Sequence, residues 1–456
     1  MSYKSVFTQA ILNSRKKLAV LRPSSLRRVF PGWWLVLTGG VLAFWGHGYH
    51  AYGFSALFKP IAEDLGLSRT ATSIPASLGR LQGGYMSPLA GWLADKFGPR
   101  WLILIGVLLM SGGLALMSLV QSFWAFLLVW GVMLAIGIDL ALLVPLQVAI
   151  GNWFIKKRGR AGGTQAVFSG LSGVLVLPLI AWLITDVGWR TTCLIGGIVM
   201  LVIGMPLVWF FVRPQRPEYY GMLPDGASTA GNEDEDMTAK GLRYAAEVKE
   251  FDFTFRQAIK TRTFWLLVVA GSCHILAMPA INLHGVPFLT DIGFDPLKAS
   301  RTLALMVGVS IPARLAGGFL IDRVNKEHMR FVMAGAYLLQ ALGFGLFLFH
   351  QTEAMIYAWF VIYGLGMGTG FALMLPMRVR YFGRKSIGSI MGIGQTLSLP
   401  VGILAPIWAG WMYDTTGSYI FAFTIVAALL TFSGVLALFI LPPKPPAPSI
   451  ELPREV

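Results

Sequence analysis

Apolar residues fall into twelve blocks separated by short polar segments. The blocks run at about 32–58, 71–94, 101–120, 123–150, 162–185, 191–212, 263–289, 299–321, 329–349, 354–377, 387–413 and 419–441. Each is about 20 to 28 residues long, which is the length of helix that crosses a ~30 Å hydrocarbon core. The pattern therefore predicts an all-α integral membrane protein with twelve transmembrane helices.

The blocks form two sets of six around one long polar segment. This spacing predicts an N-terminal segment at 1–31, a first bundle at 32–212, a linker at 213–262, a second bundle at 263–441 and a tail at 442–456. The linker contains several prolines and the acidic run Glu233 to Asp236, a composition typical of a solvated connection. We therefore expect two bundles joined by a polar strap.

The two halves resemble each other in sequence. With an offset of 227 or 228 positions, PIAEDLG at Pro60 lies over PFLTDIG at Pro287, and Asp95 lies over Asp322. Two related bundles with parallel topology are typical of transporters that bind substrate between their repeats. The repeat therefore favours alternating access, in which one bundle rocks against the other.

The charge balance supports this picture and orients the chain. Charged residues make up 13% of the sequence, against roughly 25% in soluble proteins, so a water-soluble protein is excluded. Thirty of the 37 Lys and Arg residues fall on the side of the membrane that holds both termini, and five fall on the other side. The positive-inside rule then predicts cytoplasmic termini. The net charge of +15 thus reflects topology and contact with membrane lipid, and indicates no nucleic acid.

Two polar segments resemble a known family. GWLADKFGPR, from Gly91 to Arg100, resembles the signature loop of the major facilitator superfamily, and GGFLIDR, from Gly317 to Arg323, resembles its second copy. The resemblance implies the major facilitator fold and a cytoplasmic gate built on these loops. The gating residues that it implies are Gly91, Asp95, Lys96, Gly98, Arg100, Asp322 and Arg323.

A second resemblance is to the monocarboxylate transporter and oxalate:formate antiporter-like group. NWFIKKRGRAGG, from Asn152 to Gly163, resembles its loop into helix 5, and Arg314 falls where that group carries an anion-binding arginine. The chain also departs from the group. Tyr52 falls at its first-helix lysine, and predicted helix 11 holds no Lys or Arg. These departures favour a monoanion over a dianion.

Three charged residues, Arg80, Asp139 and Arg314, lie deep inside predicted spans, where a charge costs ~2.5 to 3.5 kcal/mol or more. Arg314 lies eight residues before Asp322, about 12 Å into the membrane, and its planar guanidinium matches a carboxylate. Arg80 and Asp139 lie at equal depth, about 20 Å from the same end. They are predicted to form a buried pair, which is either static or releases a proton from Asp139 for coupling.

Polar residues of the first helices of each half are candidates for the substrate cavity. His47 and His274 are equivalent by the repeat, and Asn282 lies two turns after His274. Both histidines could face the substrate or pack as structural residues. Together with Tyr52 and Arg314 they form the predicted substrate-binding set.

These observations predict a secondary active transporter of a small organic anion, most simply a proton-coupled monocarboxylate symporter that works by a rocker switch. An anion exchanger, a metabolite or drug exporter and a transporter-like receptor remain as alternatives. No metal, phosphate or nucleophile constellation is found, so neither an enzyme nor a cofactor is predicted. We expect a monomer in the inner or plasma membrane.

Overall fold

The chain folds into a bundle of long helices in a computed structural model, which describes residues 29–227, 236–247 and 250–445. The described part contains helices and turns and no β-strand. We number its long helices α1 to α12. They are α1 at 31–64, α2 Arg69–Phe97, α3 Pro99–Met117, α4 Phe123–Trp153, α5 at 158–187, α6 at 189–211, α7 Arg262–Asp291, α8 Pro296–Arg323, α9 Met329–Phe349, α10 Glu353–Phe382, α11 Ile387–Thr416 and α12 Ile420–Ala437.

Capping residues mark the starts of several helices, and glycines mark two of the turns between helices. Ser68, Thr261 and Thr352 each accept a hydrogen bond from the backbone of their helix's first turn, at α2, α7 and α10. Gly98 separates α2 from α3 with φ of 83°, and Gly188 separates α5 from α6 with φ of 79°. Only glycine adopts this conformation without steric cost, so the chain turns at these two positions.

The twelve predicted blocks coincide with these helices. Seven helical stretches in the described residues combine the length and mean hydropathy that a membrane span needs, and one of them, Arg158–Phe211, contains both α5 and α6. Helix α10 extends to Phe382, five residues beyond the predicted end of its block. Arg378, which the sequence placed in a loop, is therefore part of a membrane helix.

The buried apolar residues form one large core in the first half and smaller ones in the second. The large core joins residues of α1 to α6, with Leu42, Met110 and Trp130 fully enclosed, and it extends to Leu375 and Ile387 of α10 and α11. In the second half, one core lies around Tyr337 and another around Trp359. The first core thus continues across the contact between the two halves.

The linker is more ordered than its composition predicts. Short turns at Pro217–Tyr220 and Pro224–Gly226 precede a helix at Met237–Glu247. Glu218, Asp225 and Glu250 are buried, although the sequence suggested a solvated strap. Most of the acidic run, at 233–235, lies outside the described residues, as do the basic N-terminal segment up to residue 28 and the tail from residue 446.

Candidate functional site

Arg314 lies at the contact between the two bundles. It projects from α8 toward α5, where its Nη1 donates a 2.6 Å hydrogen bond to the carbonyl oxygen of Ala166. The guanidinium also lies over the Phe371 ring of α10, 5.4 Å from the ring centre. The side chain is 5% exposed, and its Nε is buried without a hydrogen-bond partner. A buried cation with free donors thus faces the space between the repeats.

No carboxylate neutralises this cation within the described residues. The ion pairs found there do not include Arg314. Burying an unpaired charge is costly, so such a group needs an anion or water for compensation. A guanidinium with open donors is also the side chain best suited to hold a carboxylate in two parallel hydrogen bonds. The arrangement can therefore bind a small organic anion.

Helix α1 supplies the polar groups opposite Arg314. Tyr52 and His47 both lie within electrostatic range of its charge. His47 Nδ1 lies 3.0 Å from the Ser169 hydroxyl of α5, and Tyr52 packs against Gly173 of the same helix. Tyr52 ends a π-helical turn at Gly48–Tyr52, a local widening of α1 that is frequent at functional sites. Both predicted residues therefore lie near Arg314, and Ser169 joins them.

His274 does not line this central site. Its ring is 2% exposed, stacks on Tyr337 with ring centres 4.7 Å apart, and makes a 3.0 Å hydrogen bond through Nδ1 to Gln340 Oε1. Both partners belong to α9, inside the second bundle. The assignment to the substrate cavity is therefore corrected, because the repeat equivalence to His47 fixes depth but not the neighbours of a side chain. Asn282 lies in α7, and its side chain is outside the described residues.

Asp139 and Arg80 do not form the predicted pair. Asp139 is 7% exposed on α4, and a Cβ added to Gly83 of α2 would lie 2.8 Å from either carboxylate oxygen. Arg80 is exposed, and no ion pair within the described residues joins it to Asp139. Equal depth was predicted from the rise per residue, but equal depth does not by itself bring the two side chains into contact. Asp139 Oδ2 is instead buried without a partner.

The signature loop of the first half caps a helix of the second half. Asp95 at the end of α2 accepts hydrogen bonds from Gly388 N at 2.9 Å, Ser389 N at 2.8 Å and the Ser389 hydroxyl at 2.8 Å. These are free backbone donors of the first turn of α11, where the helix dipole also favours an anion. The sequence analysis placed Asp95 in the gate but did not identify the start of α11 as its partner.

The second copy makes the equivalent contact in the opposite direction. Asp322 at the end of α8 accepts hydrogen bonds from Gly159 N at 2.7 Å and Arg160 N at 2.9 Å, at the start of α5. Arg160 Nε lies 3.4 Å from the same carboxylate. Each bundle thus contributes one carboxylate and one helix start. We call this end of the molecule, defined by Asp95 and Asp322, the motif end.

Glycines allow both crossings to be this close. A Cβ on Gly91 would overlap the carbonyl oxygen of Gly388, and a Cβ on Gly388 would overlap that of Gly91. Gly159 and Gly318 show the same reciprocal overlap at the other crossing. Backbones therefore touch directly across the bundle interface, and the motif end is closed in this conformation.

The remaining signature residues act within their own bundle. Arg100 Nη2 donates to the Trp209 carbonyl of α6 at 2.8 Å, and its guanidinium covers the Trp209 ring. Lys96 is exposed and lies over the Trp92 ring, 4.7 Å from its centre. Gly98 supplies the turn into α3, and Arg323 is exposed. Of the predicted gating residues, Gly91, Asp95 and Asp322 hold the bundles together directly.

Acidic residues of the linker form a buried chain of charges with two arginines of the motif end. Arg158 at the start of α5 is fully buried and pairs with Glu250 through two hydrogen bonds, one of them 3.0 Å long. Arg384, just before α11, donates to Glu218 at 3.0 Å, and its Nε lies 3.7 Å from Glu250. The order Arg158, Glu250, Arg384, Glu218 alternates in sign and carries no net charge.

Two further linker aspartates cap the loops that lead into α5 and α11. Asp225 accepts hydrogen bonds from the backbone of Ile155, Lys156 and Lys157 at 2.7 to 3.2 Å. Asp252 receives the equivalent bonds from Arg384 N at 2.6 Å and Lys385 N at 3.1 Å. The linker therefore binds both bundles in the same manner.

Tyr244 of the linker helix holds Asp225 from the opposite side. Its hydroxyl donates to the Asp225 carboxylate at 3.1 Å. Burial and this neighbouring carboxylate raise the pKa of Tyr244, so the phenol stays protonated and remains a donor at neutral pH.

A family model and several similar proteins match most of the chain. The model described as Major Facilitator Superfamily matches residues 36–406 and 330–456, which together cover most of the chain. The chain belongs to the major facilitator superfamily. It is therefore a multi-pass membrane transporter.

Its relatives include named anion transporters. The chain is 25% identical to monocarboxylate transporter 13 of Rattus norvegicus, over 79% of the chain and 78% of the relative. It is 26% identical to the probable sulfoacetate transporter SauU of Cupriavidus necator, over 84% and 87%. The proton:xylose symporter XylE has the same fold, with a TM-score of 0.68, 13% identity and coverage of 90% and 96%. This transporter thus resembles the superfamily's monocarboxylate transporter group.

Proposed function

We propose that this transporter carries a small monocarboxylate together with a proton, by alternating access. The observation that carries the proposal is the Arg314 guanidinium, which is buried between the bundles with free donors and no carboxylate partner in the described residues. The substrate supplies the missing negative charge. Tyr52, His47 and Ser169 then surround it with polar groups from the first bundle.

The relatives support an organic anion as substrate. Monocarboxylate transporter 13 and the sulfoacetate transporter are both named for substrates that carry a carboxylate. Sulfoacetate also carries a sulfonate, so its binding calls for a second positive group. In this chain Arg314 is the charged residue of the central site, and α11 has no Lys or Arg. A single carboxylate therefore fits the site better than a dianion.

Asp139 is the proposed proton carrier. Its carboxyl group is buried, has no ion pair in the described residues and packs against Gly83. An ionised carboxylate in such surroundings would be strongly destabilised, so the protonated form belongs to this conformation. Rocking of the bundles would change the environment of Asp139 and release the proton on the other side. Arg80 makes no ion pair with Asp139 in the described residues, so this step is assigned to Asp139 alone.

The proposal includes an orientation in the membrane. The sequence predicts thirty Lys and Arg residues on the side that holds the signature loops, and we assign this side, the motif end, to the cytoplasm of a cell or inner membrane. Closure at the motif end then excludes the inward-facing conformation. The monomer contains both repeats and the whole central site, so no second copy is needed.

The test of the substrate class is counterflow in proteoliposomes with lactate, pyruvate and formate. We expect saturable exchange by the wild type, and a loss of at least about tenfold in Arg314→Lys, because lysine keeps the charge but not the two parallel donors. Lys298→Arg, at an exposed ion pair with Glu353, is the matched control and should transport normally. Full transport by Arg314→Lys would refute the role of the guanidinium. Binding without flux in the wild type would point to a receptor.

The test of coupling compares net uptake with exchange. Asp139→Asn retains the shape and removes the proton, so we expect uptake driven by a pH gradient to disappear while substrate counterflow continues. Proton-driven uptake that survives in Asp139→Asn would refute the carrier role. Wild-type counterflow that is indifferent to a pH gradient would replace the symporter by an exchanger.

A further inference from the structure

A histidine of α1 has a buried ring nitrogen without a hydrogen-bond partner. His50 is half-buried and stacks on Trp130 of α4, with ring centres 5.8 Å apart and an angle of 17° between the rings. Its Nε2 is enclosed and makes no hydrogen bond within the described residues. This nitrogen lies 3.8 Å from the position that a Cβ on Gly79 of α2 would take. The unsatisfied nitrogen of His50 therefore faces α2.

A seam of close contacts joins α2 to α4 beside His50. Successive turns of the two helices meet in the pairs Pro75 with Gly131, Gly79 with Ala135, and Gly83 with Asp139. The members of each set are four residues apart, so each set follows one helix face. His50 Nε2 lies at the second pair and the Asp139 carboxylate at the third. The two groups are thus one turn apart along the same face of α2, which is ~6 Å along its axis.

The seam brings together two polar atoms that lack partners. Asp139 Oδ2, like His50 Nε2, is buried without a hydrogen bond in the described part of the chain. Buried polar atoms of this kind are normally satisfied by protein or by ordered water. A short chain of water molecules along the two glycines can join the imidazole to the carboxylate. Imidazole suits such a chain, because it takes up a proton at one nitrogen and releases one from the other.

His50 also adjoins the central site. His47 precedes it by one turn of α1, lies within electrostatic range of it, and is the residue that contacts Ser169 near Arg314. The other charged group within electrostatic range of His50 is Arg80 of α2. Because Arg80 repels a positive charge, a proton on His50 is passed on more readily than it is held. His50 therefore lies between the groups around the substrate and Asp139.

We propose that His50 is a relay residue, which passes the coupled proton between the central site and Asp139. This inference rests on the proposed function, in which Asp139 carries the proton. The imidazole accepts a proton at its other nitrogen while the hydrogen on Nε2 moves through water to the Asp139 carboxylate. The reverse transfer returns the proton, so the ring is regenerated in each cycle. All three helices belong to the first bundle, and the relay needs no separation of the bundles.

The test measures two rates in proteoliposomes that contain the full chain. One is the initial influx of protons driven by a lactate gradient, followed with a pH-sensitive dye inside the liposomes. The other is lactate counterflow at equal pH, which needs no net proton transfer. We expect His50→Gln to slow proton influx by at least about tenfold, since an amide cannot relay a proton, and to leave counterflow within about twofold of wild type.

A second histidine provides the matched control. His350 is exposed at the end of α9, so His350→Gln should keep both rates at the wild-type level. If His50→Gln does not fold, the same comparison is made with His50→Phe, which retains a ring to stack on Trp130 and removes both nitrogens.

Proton influx at the wild-type rate in the folded His50 variant would overturn the relay. A parallel loss of proton influx and counterflow would also overturn it, because that result would indicate a structural role. Failure of the proposed function is distinguishable. In that case, wild-type liposomes would show no lactate-driven proton influx, or the influx would persist in Asp139→Asn.

Discussion

Glu250→Gln tests whether the linker keeps the motif end closed. Glu250 is the centre of the buried charge chain, since it bonds Arg158 twice and approaches Arg384. The substitution leaves the fully buried Arg158 without a counterion. Breaking a buried ion pair in this way costs about 3 to 5 kcal/mol. If this cost falls on the closed conformation alone, its population relative to the open one drops by a factor of about 100 or more.

The rate of thiol labelling at the bundle interface measures this change in the population of the closed conformation. Leu375 of α10 is buried where the bundles meet, opposite Gly151 of α4, so a cysteine there is protected while the motif end is closed. In a background without the native Cys193 and Cys273, we expect Leu375→Cys to react with a maleimide much faster when Glu250→Gln is added.

The linker offers a matched control for this experiment. Glu247 also pairs with a basic residue of the loop into α5, Lys156, but both side chains are largely exposed, at 59% and 42%. Exposed pairs contribute 0 to about 1 kcal/mol, so Glu247→Gln should leave the labelling rate nearly unchanged. Equal rates in the two variants, or slow labelling of a folded Glu250→Gln protein, would refute the reasoning.

The gate contacts lead to two more predictions. Gly91→Ala should prevent closure because the new Cβ would overlap the Gly388 carbonyl oxygen, and increased maleimide labelling of a cysteine at the bundle interface would show this. Gly335 has open space around it, so the control Gly335→Ala should be labelled at the same rate as the parent. A protected thiol in Gly91→Ala would contradict the close approach of the two backbones. Asp322→Asn replaces one of the two carboxylate oxygens that accept from backbone donors at α5 by an NH2 group and removes the negative charge, so it should favour the open state as strongly as Asp95→Asn does at α11, which distances between spin labels on the two bundles can measure. A large effect in only one of the two would refute their equivalence.

The architecture and the position of the charges along each helix could be predicted from the sequence. Hydropathy and the offset of 227 predicted the helices and the paired carboxylates, because both are properties of residues close together in the chain. The partners of Asp95 were not predictable in the same way, since Gly388 lies 293 residues away. The internal repeat held the missing signal, as Gly159 and Gly388 occupy corresponding places at the starts of α5 and α11.

Side-chain direction accounts for most of what the sequence could not provide. Arg80 and Asp139 share a depth, and so do His47 and His274, but depth follows from the rise per residue whereas the contacted face depends on packing. Arg378 was missed for another reason. The tenth block was ended at its last apolar residue, but a helix continues as long as its backbone hydrogen bonds are made, and α10 continues to Phe382.

The docked linker has a consequence for the order in which the protein assembles. A ribosome completes the first bundle and then Glu218, Asp225 and Glu250, before any helix of the second bundle is made. Arg158 and the loop into α5 therefore obtain their partners at once. When Arg384 emerges more than a hundred residues later, its acceptors are already in position. The linker is thus present before the last helices are synthesised, and these helices dock against it.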